Sequence, residues 1–449
     1  MLIRSISGLR GLTDSQTGLT DEAIIAYASS FATMVGNSGI VALGYDGRVG
    51  GKRIFDLVAM TLCAAGCDVL SLGMVPTPTV MFAVEKNKNI RGGIVVTASH
   101  NPQQWNGMKF INSKGLFLDA DENSDLWKFV DSGSWNLPAS QGKILDGNET
   151  IESHIASVLA IPFLALEDIK KKKFRIVLDT VNASGSFIQQ ELLKRLGVAE
   201  VIGVATDGSG IFPHYPEPIP ANLTSLCEAV ISNNADLGIA IDPDADRCVL
   251  ITNTGEPFIE ENTIVLATEE VLFNMPRGQN VAVNLSTTRA IEDIAEQYGA
   301  TVHRTAVGEI NVAKKMIATS AVIGGEGSGG VIYPAVHIGR DSLVAVALAL
   351  SNLARSGMSA AEKKASLPQY EIVKNKIELT SKEQAAEMIA KIKAKLAPTA
   401  VSCNEEDGLR LDFEKSWLHI RSSNTEPIIR LIAEASTKTE AETLIAKAI

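Results

Sequence analysis

A multi-domain α/β architecture, with mixed and mostly parallel sheets, follows from three observations on this 449-residue chain. Short apolar strands alternate with amphipathic helices through most of the sequence. Glycine-bearing turns separate them. The C-terminal part then changes rhythm, and strands follow one another directly. Continuous apolar strands between helices point to sheets covered on both faces. A single core stops growing near roughly 250–300 residues, so a chain of this length divides into domains.

The first round places a strand at 41–44, a helix at 53–65 closed by Gly66, and strands at 69–72 and 93–96. The rhythm restarts with a strand at 174–179, a helix at 187–196 and a strand at 201–204. A third round has a strand at 281–284, a helix at 289–298 and a strand at 301–304. No repeat in the residues themselves links the rounds, so three similar domains are expected from the rhythm alone. Beyond them come a Lys/Glu/Ala-rich helix at 382–396, strands at 409–413, 417–420 and 428–432, and a last helix from Thr439. Strands in succession with flanking helices read as a smaller α+β domain. The expected domains are 1–152, 153–256, 257–368 and 369–449.

Composition narrows the function classes. Hydrophobic residues make up 45% and charged residues 21%, ordinary for a soluble globular protein. The net charge of −11 argues against a general nucleic-acid binder and promotes solubility. The first eight residues lack the apolar core of a secretory signal. The best apolar stretch, 343–350, falls far short of the roughly 20 residues a membrane span needs. Five cysteines, odd in number and without paired metal-site spacing, read as free thiols. Cys63 and Cys67 lie four apart in a helical pattern, as buried thiols would. A cytoplasmic protein without nucleic-acid or membrane partners is expected, as a monomer or homodimer.

Two distant segments carry the chemistry. Thr97-Ala98-Ser99-His100-Asn101-Pro102 sets a serine at the end of an apolar run, with helix-breaking Asn-Pro behind it. Taken alone, Ser99 reads more readily as a turn serine. No Gly-x-Ser-x-Gly elbow surrounds it, and adjacent residues rarely orient one on the other, which argues against a Ser-His dyad. Asp242-Pro243-Asp244-Ala245-Asp246-Arg247 follows another apolar run. Alternate residues of an extended chain point the same way, so its three carboxylates can meet on one hard cation. Carboxylate oxygens suit Mg2+, which keeps room for a phosphate oxygen. A calcium loop is excluded, because position six is Arg247 and position twelve is Asn253, where glycine and glutamate are required. A serine, a Mg2+ site and a phosphate together suggest phosphoryl transfer through a phosphoserine.

Two further loops need weighing. Gly325, Gly327 and Gly330 satisfy G-x-G-x-x-G, yet the strand-like Val331-Ile332-Tyr333-Pro334 follows where a dinucleotide fingerprint needs a helix. Arg421-Ser422-Ser423-Asn424-Thr425 offers a guanidinium, hydroxyls, an amide and backbone donors, a density that suits a phosphate dianion. An exposed Ser/Asn turn explains that loop equally well when it is read by itself.

Taken together and in this order, the four segments resemble the motifs of the α-D-phosphohexomutases, over nearly the whole chain. The resemblance implies four domains around one central cleft and reversible exchange of hexose 6-phosphate and hexose 1-phosphate. It implies Ser99 as the phosphoserine and a ligand of Mg2+ beside Asp242, Asp244 and Asp246, with His100 holding the loop or touching the phosphate. Glu326 and Ser328 would grip sugar hydroxyls, and Arg247 would reach the substrate. Arg421, Ser423, Asn424 and Thr425 would hold the non-reacting phosphate, with Arg430 a weaker candidate. Gly8-Leu9-Arg10-Gly11 and Asn106-Gly107-Met108-Lys109 match the family's flanking motifs, so Arg10 and Lys109 would steer phosphate or proton transfer. Many relatives carry histidine where this chain has Gly330. A hexose 1,6-bisphosphate would be intermediate and activator. The opening Ser-Ile-Ser-Gly-Leu-Arg-Gly and the Gly-Glu-Gly-Ser-Gly-Gly loop resemble archaeal-type phosphoglucosamine mutases. Ser423-Asn424-Thr425 is closer to the phosphomannomutase/phosphoglucomutase branch. A Mg2+-dependent sugar phosphatase and an inactive sugar-phosphate binding protein are the rivals from other classes.

Overall fold

The computed structural model describes residues 2–13, 16–135, 140–379, 383–422 and 428–449. Four sheets form, and the first three are variations on one plan. In the second sheet the strands Arg175–Asp179, Glu200–Ala205, Leu237–Ile241 and Cys248–Thr252 lie in the order second, first, third, fourth. The third sheet repeats that order with Asn280–Asn284, Thr301–Thr305, Ile323–Glu326 and Gly330–Ile332. The first repeats it with Ile40–Tyr45, Asp68–Met74, Ile90–Val96 and Trp105–Ile111. It adds the hairpin Leu2–Ser5 and Gly8–Leu12 at one edge and Ile144–Asp146 at the other. The repeat that the residues conceal is therefore plain in the topology.

In each of these sheets the first three strands pair in parallel and the fourth runs antiparallel to the third. Parallel neighbours need long crossovers, whereas an antiparallel neighbour can be reached by a short loop. The serine loop, the acidic loop and the glycine loop are those three short connections. They occupy residues 97–104, 242–247 and 327–329, just past the carboxyl end of each third strand. The crevice beyond strand carboxyl ends is where open α/β sheets bind ligands.

The fourth sheet is antiparallel throughout, in the order Glu371–Glu378, Ile428–Ala435, Trp417–Ser422, Leu409–Asp412, Ser402–Asn404. Helices Glu383–Leu396 and Lys438–Ala448 pack on its core. The edge strand Glu371–Glu378 escaped the sequence reading because its charged, half-exposed residues lack the apolar signal of an inner strand.

The second and third sheets share one continuous apolar core. Helix Ser342–Ser356 runs through it, buried from Ser342 to Leu353. This is the apolar run at 343–350, and it is apolar all round because neighbours cover it on every side. Among the described residues no single helix is long and apolar enough to cross a membrane. All five cysteines are free.

Asp341 joins three elements at the start of that helix. Its Oδ1 accepts from Leu343 N at 2.8 Å as the N-cap, and its Oδ2 faces His154 Nε2 at 2.8 Å and His337 Nε2 at 3.2 Å. His154 lies on helix Glu149–Leu159, and its Nδ1 is 3.1 Å from Thr79 Oγ1 on helix Thr77–Lys86. Asp341→Ala should therefore lose roughly 2–4 kcal/mol, a cap worth about 1 kcal/mol plus about 1–3 kcal/mol for buried partners left unpaired. Urea unfolding would read this as an earlier midpoint, and an unmoved midpoint would show that the junction is dispensable.

Candidate active site

The serine loop is built around a strained residue. Ser99 has φ 51°, in the left-handed region that non-glycine residues avoid, at a cost of about 1–3 kcal/mol. Its surroundings hold it there. Arg48, itself 1% exposed, donates to the carbonyls of Ser99 (2.5 Å), Trp105 (2.7 Å), Asn101 and Pro102 (both 3.3 Å). Asp46 Oδ2 accepts from Arg48 Nε at 2.8 Å and from the Thr97 hydroxyl at 2.6 Å. The Thr97 oxygen accepts in turn from Ser99 N at 2.8 Å. Asp46 and Arg48 were invisible to motif reading, since a lone acidic and a lone basic residue on a loop signal nothing locally.

Against expectation for adjacent residues, His100 Nδ1 comes within 3.2 Å of Ser99 Oγ. Burial, with the guanidinium groups of Arg247 and Arg10 nearby, pushes His100 well below the usual histidine value. A neutral ring protonated on Nε2 can accept the serine hydroxyl at Nδ1. Arg10 Nη1 donates to Asn101 Oδ1 at 2.7 Å.

The acidic triplet converges by a different route from the one its spacing suggests. Residues 242–247 form a turn between antiparallel strands, with Ala245 at φ 53°, so strand alternation does not aim the carboxylates. The turn closes on them instead. Asp242, Asp244 and Asp246 are at most 1% exposed, and ligand atoms of all three lie within 4.8 Å of one another. One oxygen of each is held. Asp242 Oδ1 accepts from Arg247 N at 3.1 Å. Asp244 Oδ2 accepts from the Thr77 hydroxyl at 2.7 Å and Lys109 Nζ at 2.6 Å. Asp246 Oδ2 accepts from Lys109 Nζ at 3.2 Å and Arg340 Nη2 at 2.6 Å. The other three oxygens, Asp242 Oδ2, Asp244 Oδ1 and Asp246 Oδ1, are buried without a hydrogen-bond partner among the described residues.

Arg247 Nε stands 4.0 Å from Asp242 Oδ2 and 3.7 Å from Asp246 Oδ1, too far to donate, and three buried anionic oxygens without hydrogen-bond donors fit a hard divalent cation. The charges agree. Burial, then the neighbouring charges of Asp246 and Asp244, push Asp242 well above the usual carboxylate range. Burial also opposes ionisation of Asp246, but Arg340, Lys109 and Arg247 outweigh it and hold that group well below the range. A cation here would keep all three ionised. Burial opposes the charge on Lys109 as well, yet Asp244 and Asp246 outweigh it and raise its value, so Lys109 stays a cation.

Residues from all four sheets line one cleft of about 670 Å3. Arg10, Ser99, His100 and Lys109 come from the first, Arg247 from the second, Glu326 and Ser328 from the third, and Arg421 and Arg430 from the fourth. Glu326 Oε1 accepts from Asn284 Nδ2 at 2.7 Å and Gly308 N at 3.0 Å, and its Oε2 from Arg340 Nη1 at 2.6 Å. Gly327 is required to be glycine, because a Cβ there would lie 1.7 Å from Glu261 Oε2. Burial raises the Glu261 carboxyl to about 8. In the fourth sheet Arg421 sits directly opposite Arg430, which sits opposite Lys376. Like charges facing across strands destabilise a sheet unless an anion offsets them, and Asp407 Oδ2, 3.4 Å from Arg421 Nη1, does so in part. Ser423, Asn424 and Thr425 lie outside the described residues. Glu261, Glu309 and Arg340 complete the cleft wall, and no motif announced them.

Known proteins match along the whole chain. Four family models fit in series: "Phosphoglucomutase/phosphomannomutase, alpha/beta/alpha domain I" at 2–136, domain II at 152–255, domain III at 260–370 and the C-terminal domain at 375–449. The chain is 32% identical over 444 residues to a phosphoglucomutase/phosphomannomutase of Thermococcus kodakarensis, covering 97% of this chain and 94% of that one. It is 31% identical over 441 residues to a protein of Methanopyrus kandleri named probable phosphoglucosamine mutase, covering 98% and 95%. A crystal structure of a phosphoglucomutase/phosphomannomutase family protein from Burkholderia thailandensis superposes with a TM-score of 0.87 at 26% identity, covering 100% and 96%.

The role of Arg48 is open to test. Arg48→Met removes charge-assisted bonds to the serine-loop carbonyls, each worth about 1.5–3 kcal/mol. Amide exchange across 97–105 should accelerate at least about tenfold, at about 1.4 kcal/mol per decade. Unchanged protection there would mean that the loop holds its shape without this residue.

Proposed function

The chain belongs to the phosphoglucomutase/phosphomannomutase family of phosphohexomutases, and from that premise we propose that it interconverts hexose 6-phosphate and hexose 1-phosphate through a phosphorylated Ser99 and a 1,6-bisphosphosugar, with glucosamine phosphate as its substrate. As a member it is an isomerase. The observation that carries the mechanism is the pairing of a strained, buried serine with three carboxylates that each keep one free oxygen.

Asp242, Asp244 and Asp246, with an oxygen of Ser99, would hold Mg2+, which when bound neutralises charge on the transferring phosphoryl group. Phosphorylated Ser99 loses its Oγ–P bond as the free sugar hydroxyl gains one, giving the bisphosphate. The sugar then turns over in the cleft and returns its other phosphoryl group to Ser99. His100, neutral and 3.2 Å from Ser99 Oγ, is placed to relay the proton that the sugar hydroxyl gives up to Ser99 Oγ as the Oγ–P bond breaks, and to relay it back to the sugar oxygen when Ser99 attacks the bisphosphate. Lys109, kept charged by Asp244 and Asp246, supplies positive potential beside the transfer point. Arg10 reaches the cleft from the Asn101 side and Arg247 from the metal loop, both toward phosphate oxygens. Glu326 and Ser328 take sugar hydroxyls, which both orientations of the sugar present. Arg421 and Arg430 offer the facing cations for the non-reacting phosphate, and Ser423, Asn424 and Thr425, next in sequence after Ser422, are the further candidates for it.

Glucosamine phosphate as substrate is supported by the Methanopyrus kandleri relative and by the opening and glycine-loop motifs. The Thermococcus kodakarensis relative favours glucose and mannose phosphates as the second reading. Side-by-side assays of the 1- and 6-phosphates of glucosamine, glucose and mannose decide between them, and a highest kcat/KM on mannose or glucose would displace glucosamine. A phosphatase would release inorganic phosphate where a mutase releases none.

Two outcomes test the mechanism. Intact-mass spectra should show a phosphorylated fraction that vanishes in Ser99→Ala together with turnover; a Ser99→Ala protein with near-normal turnover would sink the phosphoserine. Asp244→Asn should cut kcat at least about a hundredfold, since several kcal/mol of charge stabilisation are at stake, and added Mg2+ should restore little. Full activity in EDTA would refute the metal role.

A further inference from the structure

Arg340 holds a place in the cleft that the proposed chemistry leaves unused. Its guanidinium donates to Asp246 Oδ2 at 2.6 Å, to Glu326 Oε2 at 2.6 Å and to Glu309 Oε2 at 3.0 Å. One side chain thus grips a carboxylate of the acidic loop and a carboxylate of the glycine loop. The next residues grip the acidic loop again, because the Ser342 hydroxyl donates to Ala245 O at 2.6 Å. A direct bond already ties the two loops together, Cys248 N to Gly329 O at 2.9 Å. The path of Arg340 depends on Gly330. A Cβ at 330 would lie 2.2 Å from Arg340 Cδ and 3.0 Å from its Cγ. Gly330 does not have a left-handed φ, so the arginine stem, and no backbone demand, explains the missing side chain.

We propose that Arg340 is a positioning residue that couples cation occupancy of the acidic loop to sugar binding at Glu326. The inference rests on the Mg2+ and sugar assignments made above. One guanidinium cannot neutralise three carboxylates. Without a cation, Asp246 competes with Glu326 for it. A divalent ion on the free Asp246 Oδ1 takes up part of that carboxylate's charge, and Arg340 then bears more strongly on Glu326. Glu326 is already fixed from its other oxygen by Asn284 and Gly308. A firmer hold on Oε2 prepares it for a sugar hydroxyl and lowers the cost of ordering the loop on binding. By reciprocity the sugar tightens the cation by the same factor.

The test is calorimetry on the Ser99→Ala protein, which binds without turning over. Glucosamine 6-phosphate and glucose 6-phosphate are titrated in EDTA and again in saturating Mg2+. Mg2+ should tighten the better-bound sugar phosphate about tenfold, within the usual range of coupling between two sites. Adding Arg340→Met should cut that ratio below about threefold while Mg2+ itself still binds. Gly330→Ala, in the same background, displaces the arginine stem without removing any charge, and should cause the same loss. It carries the test alone if Arg340→Met does not fold. A ratio unchanged in either folded variant, or no coupling in the parent protein, overturns the proposal. No Mg2+ binding even to the protein that keeps Ser99 would overturn the metal assignment instead.

Discussion

The site depends on a buried knot of charge. Asp244, Asp246, Glu309 and Glu326 converge on Lys109 and Arg340 where three sheets meet, with Asp242 beside Arg247. Each buried ion costs several kcal/mol of lost hydration unless partners satisfy it. The knot meets that demand only in part, since three carboxylate oxygens face inward without donors. This incomplete neutralisation is what suits the place to a cation. It also explains why the acidic loop is gripped from several sides, by Thr77 of helix Thr77–Lys86, by Lys109 of the first sheet and by Arg340 and Ser342 beyond the third. A loop free to swing would expose its carboxylates to water and lose the geometry.

The fold places such loops by a simple rule of strand pairing. Three sheets share one strand order, and in each the antiparallel step from third to fourth strand lets a short connection stand at the carboxyl end of a buried strand. Short loops anchored at both ends can be driven into unfavourable backbone conformations. Ser99 and Ala245, both with positive φ, mark where this happens in the serine and acidic loops. The strain persists because surrounding bonds outweigh it, with Arg48 on one loop and Ser342 on the other.

Much of this was legible in the chain. Apolar runs and glycine stops announced the strands Ile40–Tyr45, Arg175–Asp179 and Asn280–Asn284 and the helices that follow them, because side-chain period and turn chemistry act locally. The same reading passed over Glu371–Glu378, whose charges serve an edge strand. The shared core of the second and third units, from Ile155 to Leu367, was not legible either, because packing between units leaves no local signal. Ser99, the acidic triplet and Glu326 were legible as candidates because chemistry there is concentrated in a few consecutive residues. Arg48, Glu261, Glu309 and Arg340 were not, because each stands alone in its segment.

What the sequence alone determined is the alternation of inner strands and helices, the four motif loops and the family resemblance those loops carry in order. The tertiary structure decided how the loops meet. Asp244 lies 135 positions from Lys109 and 167 from Thr77, yet both bind the same oxygen. No local preference encodes such a contact. It exists only after sheets are stacked and loops closed, when burial makes an unpaired charge costly and leaves few arrangements that satisfy it. The turn that aims the carboxylates, the rotamer that brings His100 to Ser99 and the passage of Arg340 over Gly330 all belong to that second kind of information.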